Sequence, residues 1–135
     1  MKLIYQSKRT LEDVYASLAD FKKFGALHPY MTNVEAMADG FRVEEKVPLL
    51  GFLKISNTYH VRVQTLPQLC QVVYLSQIKK SVALKIIWTV TREDGVSIEE
   101  HIDIQANPIV RYILGTVMKN AHQKVINNLE KNSIG

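Results

Sequence analysis

Hydrophobic and polar positions follow two different rhythms along this chain, and the change between them marks its architecture. From residue 41 to 104 the dominant period is two. Phe41, Val43, Glu45 and Val47 alternate with Arg42, Glu44 and Lys46, as in a strand with one buried face. Leu53 to Leu66, Cys70 to Ile78, Val82 to Thr91 and Val96 to Ile104 also read as strands. Asp39-Gly40, Pro48 with Gly51, Pro67, Lys79-Lys80-Ser81 and Glu93-Asp94-Gly95 punctuate these runs as turns. After Asn107-Pro108 the period lengthens. Val110, Ile113, Leu114, Val117, Met118, Ala121, Val125 and Leu129 then lie along one side of a long helix. Asn107 can cap that helix, and Pro108 fits its first turn without losing a hydrogen bond. Gly115 interrupts the stripe at a cost of about 0.5–1 kcal/mol relative to Ala. Close packing is the expected compensation, with extra cavity room as the other account.

The N-terminal part is shorter and mixed. Leu3 to Gln6 reads as a first strand. Thr10 can cap a helix whose apolar face is Leu11, Val14, Leu18 and Phe21, with Asp13 placed as in a capping box. The helix is expected to break near Ala19-Asp20 and restart as a second short helix around Lys22-Lys23-Phe24. Gly25 and His28-Pro29 signal its end or a turn. Strands joined by short turns favour an antiparallel meander, to which the first strand returns across the helical segment. The expected class is α+β: a curved antiparallel sheet wrapped around the long C-terminal helix, with two short helices after the first strand. Residues 1–135 are expected to form a single domain, because either half alone would lack a core. A curved sheet closed by such a helix can enclose a cavity.

Composition narrows the function. Hydrophobic residues make up 47% of the chain, enough for a core, and no run is long enough for a membrane helix. The alternating N-terminus, Met1-Lys2-Leu3-Ile4-Tyr5-Gln6, lacks an apolar signal core, so a cytoplasmic location is expected. The net charge of +4 is a modest bias. The long helix carries Arg111, Lys119, Lys124 and Lys131, and Lys79, Lys80 and Lys85 form a second basic area. Neither has the dense charge with interleaved aromatics typical of nucleic-acid binding, so no nucleic-acid partner is expected. Cys70 stands alone and is expected to be a small buried strand residue. Homodimer formation is compatible with the sequence, which gives no interface for it.

Strand alternation nominates the inward residues. One set is Val96, Ile98, Glu100, Ile102 and Ile104; a second is Leu84, Ile86, Trp88 and Val90. A third is Cys70, Val72, Tyr74, Ser76 and Ile78, and a fourth runs from Leu53 through Ile55, Asn57, Tyr59 and Val61 to Val63. The polar members of these sets, Asn57, Tyr59, Tyr74, Ser76, Trp88 and Glu100, are candidate ligand-binding residues. A dry core rarely admits so many polar atoms, whereas a small-molecule cavity does. Glu45 raises the same question. His28, in the loop after the short helices, is a further ligand-binding candidate that could edge the cavity mouth and bind a ligand or move a proton. His60 and His101 fall on outward faces, and His122 lies at the border of the helical stripe. The four histidines lack metal-ligand spacing, and no glycine-rich phosphate loop, dinucleotide fingerprint or nucleophile elbow is present, so neither a metal nor a cofactor is expected. Adjacent acids such as Glu44-Glu45 and Glu99-Glu100 point to opposite strand faces and cannot jointly flank one bond.

This order of elements resembles the helix-grip fold of the START/Bet v 1-like (SRPBCC) superfamily, in particular its bacterial polyketide cyclase/dehydrase-like branch. The local likeness lies in Val14-Tyr15-Ala16-Ser17-Leu18-Ala19-Asp20, in Leu27-His28-Pro29 and in Pro108 to Leu129. The resemblance implies a cavity under the long helix that takes a small hydrophobic or amphipathic molecule, lipid-like or aromatic. Two alternatives stay open: a polyketide cyclase- or dehydratase-like enzyme using His28 or Glu100, and a protein-interaction module without ligand chemistry.

Overall fold

The computed structural model describes residues 1–50 and 53–131. Its elements are β1 (Lys2–Ser7), α1 (Leu11–Ala19), α2 (Phe21–Leu27), β2 (Met31–Met37), β3 (Gly40–Leu50), β4 (Leu53–Leu66), β5 (Gln71–Lys79), β6 (Val82–Arg92), β7 (Val96–Gln105) and α3 (Pro108–Lys131). The strands form one seven-stranded sheet in the order β1-β7-β6-β5-β4-β3-β2. Every neighbouring pair is antiparallel, and β1 closes on β7 with Tyr5 opposite Ile98. The sheet wraps α3, and α1 and α2 follow the first strand, which is the helix-grip architecture.

Local chemistry sets the helices. Thr10 accepts the Asp13 N–H at 3.1 Å and starts α1. Asp20 serves both short helices: its backbone N–H closes α1 on the Ala16 carbonyl, and its side chain accepts the Lys23 N–H at the start of α2. Asn107 caps α3 by accepting the Val110 N–H at 2.9 Å. Gly25 does not end α2 but lies buried within it. A Cβ there would sit 2.5 Å from Val34 Cγ2, so glycine lets α2 press onto β2.

Three strand expectations need correction. The strand β2 was not legible in the sequence. It is an edge strand, mostly exposed, with a register shift between Met31 and Asn33 that breaks its alternation. Pro48 does not interrupt β3; it pairs opposite Lys54 beside a register shift, a place where a strand tolerates proline. Gly51 lies outside the described residues. Cys70 is not in a strand. It follows the 3₁₀ turn Pro67–Leu69 in a left-handed conformation, φ 50°, and is half-buried.

The inward faces agree with the alternation. On β7, Val96, Ile98, Glu100, Ile102 and Ile104 are buried, and on β6 the buried series runs from Val82 to Val90. Trp88, Phe21, Phe24 and Tyr74 form an aromatic nucleus between the sheet and the short helices, with Phe21 edge-on to Tyr74 at 5.0 Å and Phe24 to Trp88 at 5.9 Å.

The two halves of α3 differ. Met118, Ala121, Val125, Ile126 and Leu129 are buried, whereas Val110, Leu114 and Val117 are only half-buried, and Tyr112 is 77% exposed. The buried end is tied down: Glu130 accepts from Ser7 Oγ at 2.8 Å and from the Lys8 N–H at 2.7 Å, and Asn128 donates to the Leu27 carbonyl at 2.9 Å. Gly115 faces Met1 Cε and Ile104 Cδ1 at 3.5 and 3.8 Å from an added Cβ, ordinary contact distances. Close packing therefore does not require glycine there.

Candidate functional site

A cavity of about 430 Å³ lies between the sheet, α2 and the N-terminal half of α3. Its walls are mostly apolar. Phe21 and Phe24 come from α2, Val61, Leu84 and Ile86 from the sheet, and Val110, Leu114 and Val117 from the helix above. The incomplete burial of that helical half follows from its position over open space rather than over side chains.

Besides Lys79 and Ser81, which also line the cavity, polar groups gather in two places. On the sheet side, the Tyr59 hydroxyl donates to Glu45 Oε2 at 2.9 Å, and Asn57 and Ser76 line the wall nearby. Burial pushes the Glu45 carboxyl above its ordinary range, with hydrogen bonding from Tyr59 and Asn57 opposing the shift. Burial and the Glu45 charge keep the Tyr59 hydroxyl protonated.

The second place is under α3. His122, from the buried side of the helix, and His28, from the end of α2, stand edge to face with ring centres 5.9 Å apart. The Tyr30 backbone N–H donates to His28 Nδ1 at 3.1 Å. Burial, and then the neighbouring His122, push the His28 pKa down to about 3, so its ring is neutral. His122 Nδ1 is hydrogen-bonded to Glu100 Oε2, and the Tyr5 hydroxyl donates to Glu100 Oε1 at 2.8 Å. Glu100 has no exposed surface. Burial, reinforced by the Glu100 charge, holds the Tyr5 hydroxyl in its protonated, donating form.

The candidates read from the sequence separate by depth. Tyr59, Tyr74, Asn57, Ser76 and His28 line the cavity. Tyr74 contributes its ring, because its hydroxyl already donates to the Leu18 carbonyl at 2.5 Å. Trp88 and Glu100 face inward as expected but do not line the cavity; both are fully buried behind it. Trp88 Nε1 is the buried side-chain polar atom without a partner among the described residues, and its ring lies 5.5 Å from His122. His122 was placed only at the border of the stripe. It is buried and lines the cavity, linking Glu100 to the open space. His60 and His101 pair instead with Asp39 and Glu99 at the surface.

Among the described residues, no cluster of three or more His, Cys, Asp or Glu is arranged to hold a metal ion. No described helix is long and apolar enough to cross a membrane.

No protein-family model matches the chain, and no curated protein matches its sequence. Solved structures match its shape. A hypothetical protein from Sulfolobus tokodaii aligns with a TM-score of 0.72 at 10% identity, over 97% of this chain and 91% of its own. The Zhui aromatase/cyclase from a Streptomyces species aligns at 0.70 and 16%, over 97% and 90%. A START superfamily protein from Mycobacterium smegmatis aligns at 0.67 and 10%, over 97% of each chain. At such identities the likeness concerns architecture alone, and in architecture this chain has the fold of the START/Bet v 1-like superfamily.

Proposed function

We propose that the protein binds one small hydrophobic or amphipathic molecule, lipid-like or aromatic, in the cavity beneath α3. The observation that carries this reading is an apolar space of about 430 Å³ with polar groups gathered at two places, the usual composition of a small-molecule site. Apolar walls supply affinity: a ligand that buries about 200 Å² of apolar surface gains on the order of 5 kcal/mol before the costs of association. Polar groups then set its orientation. Native mass spectrometry of the purified protein, with and without an apolar aromatic probe, tests the reading. The expected result is one probe retained per chain, and loss of retention in Val117→Trp, which fills the space from the half-buried side of the helix. Failure of the unsubstituted protein to retain any apolar molecule would overturn it.

A second reading, a polyketide cyclase- or dehydratase-like enzyme, is favoured by His122 facing the cavity with Glu100 behind it. The aromatase/cyclase among the similar folds agrees with it in shape. Here His122 is the acid that moves a proton to or from the bound molecule, oriented by Glu100. This assignment replaces the direct role expected of Glu100, which has no path to a ligand except through the imidazole. Turnover of an aromatic polyketide-like substrate that survives His122→Phe unchanged would dismiss this reading.

A further inference from the structure

We infer that His28 and His122 together form a two-donor site for a carbonyl oxygen, and that the cavity selects an uncharged ligand carrying a ketone, ester or amide on an apolar body. The inference rests on the cavity-binding reading above and adds the chemistry of the ligand's polar group.

The argument starts from what each ring can offer. A backbone N–H can only donate, so the bond from Tyr30 fixes the lone pair of His28 on Nδ1. A neutral ring with its lone pair there carries its proton on Nε2. For His122 the deciding fact is burial of its partner. Glu100 is fully enclosed, and its recorded hydrogen-bond partners are the Tyr5 hydroxyl and His122. A buried carboxylate needs a compensating cation, and of these two only the imidazole can become one. The pair as a whole therefore carries no net charge, its shared proton lies between Glu100 Oε2 and Nδ1, and Nε2 of His122 is also an N–H.

Among the described residues neither Nε2 has a hydrogen-bond partner, yet neither is among the enclosed polar atoms without one, a group confined there to Trp88 Nε1. Both nitrogens thus keep access to open space in a cavity that both residues line. Two N–H groups on neighbouring rings, their centres 5.9 Å apart, suit an oxygen with two lone pairs and no proton to place. A carbonyl meets that description, and a hydroxyl wastes its hydrogen against two donors. Charge makes the same choice. Glu100 already matches the proton it shares with His122, and Glu45 also lines the cavity, so the two rings offer a carboxylate no free cation; the lysine of the lining, Lys79, is solvent-exposed.

The test uses two probes of matched shape, 2-acetylnaphthalene labelled with carbon-13 at the carbonyl and 2-isopropylnaphthalene, titrated into the full chain by calorimetry. Two added hydrogen bonds predict at least about tenfold tighter binding of the ketone. The bound carbonyl carbon should resonate downfield of its position in an apolar solvent, and His28→Phe should halve that displacement. Long-range proton–nitrogen correlation spectra of the unliganded protein at neutral pH should show a proton on Nε2 of both His28 and His122. If both probes bind equally and the carbonyl resonates as in an apolar solvent, the cavity reading stands and this inference falls. If neither binds, both fall. Finding either ring without a proton on Nε2 also overturns it.

Discussion

Glu100 on β7 and His122 on α3 are hydrogen-bonded to each other across the interface between sheet and helix, each almost wholly removed from solvent. The bond joins the last strand to the last helix at the level of Trp88, and the Tyr5 hydroxyl occupies the second carboxylate oxygen. Glu100→Ala should leave an imidazole and a phenol without partners in the core. The expected cost is about 3–5 kcal/mol, a large part of the stability of a small domain. Glu100→Gln keeps an oxygen for Tyr5 and should fold, with the environment of His122 Nδ1 changed by loss of its carboxylate partner. Urea unfolding measures the first effect, and nitrogen-15 shifts of the ring report the second.

His28 should make the protein sensitive to acid. Its folded pKa is about 3 against an ordinary 6.5, so between those values the unfolded chain takes up a proton that the folded protein refuses. Its contribution to stability is full above pH 6.5 and declines as the pH falls towards 3, by at most about 1.4 kcal/mol per pH unit. Glu45 works the other way: with its pKa raised, its contribution declines as the pH rises from 4.5 through the folded value. Denaturant titrations at several pH values between 4 and 7 should therefore show a steeper acid loss in the unsubstituted protein than in His28→Phe. Equal slopes would remove His28 as the cause.

Gly115→Ala should stabilise the protein by about 0.5–1 kcal/mol, because α3 gains helix propensity while the new methyl meets Met1 and Ile104 at ordinary distances. Gly115 is not among the cavity-lining residues, so probe binding should stay unchanged. A lower midpoint in urea would mean that the surroundings cannot accept the methyl.

Asp20→Ala should cost about 1 kcal/mol through loss of the α2 cap. Asp20→Asn, which still offers an oxygen to the Lys23 N–H, should recover most of it. Thermal unfolding of both variants checks the comparison; equal destabilisation would point to the charge of Asp20 rather than its cap.

Much of the architecture was legible because the last two strands each have one wet and one dry face. Val96 to Ile104 and Val82 to Val90 declare that asymmetry residue by residue. The strand β2 does not: Thr32, Asn33, Glu35 and Ala36 are all exposed, and a register shift scrambles the remainder. Depth was hidden for a different reason. Alternation tells which face a side chain takes, not whether space or another side chain lies above it. Thus Asn57, Tyr59 and Ser76 meet the cavity, while Trp88 and Glu100, on equally inward faces, lie beneath packed neighbours. His122 was underestimated because a stripe drawn from apolar residues skips a histidine. A signal was available, since Met118, Val125 and Ile126, at four residues before and three and four after, surround that position with buried helical neighbours.

The ties from Ser7, Lys8 and Leu27 all fall on the last turns of α3, whereas its first turns overhang the hollow. One helix thereby divides its labour along its length: the C-terminal turns act as a rivet and the N-terminal turns as a roof. If the hollow binds a ligand as proposed, substitutions in the roof retune what it accepts without loosening the rivet, and selectivity is free to drift while the fold is held fixed.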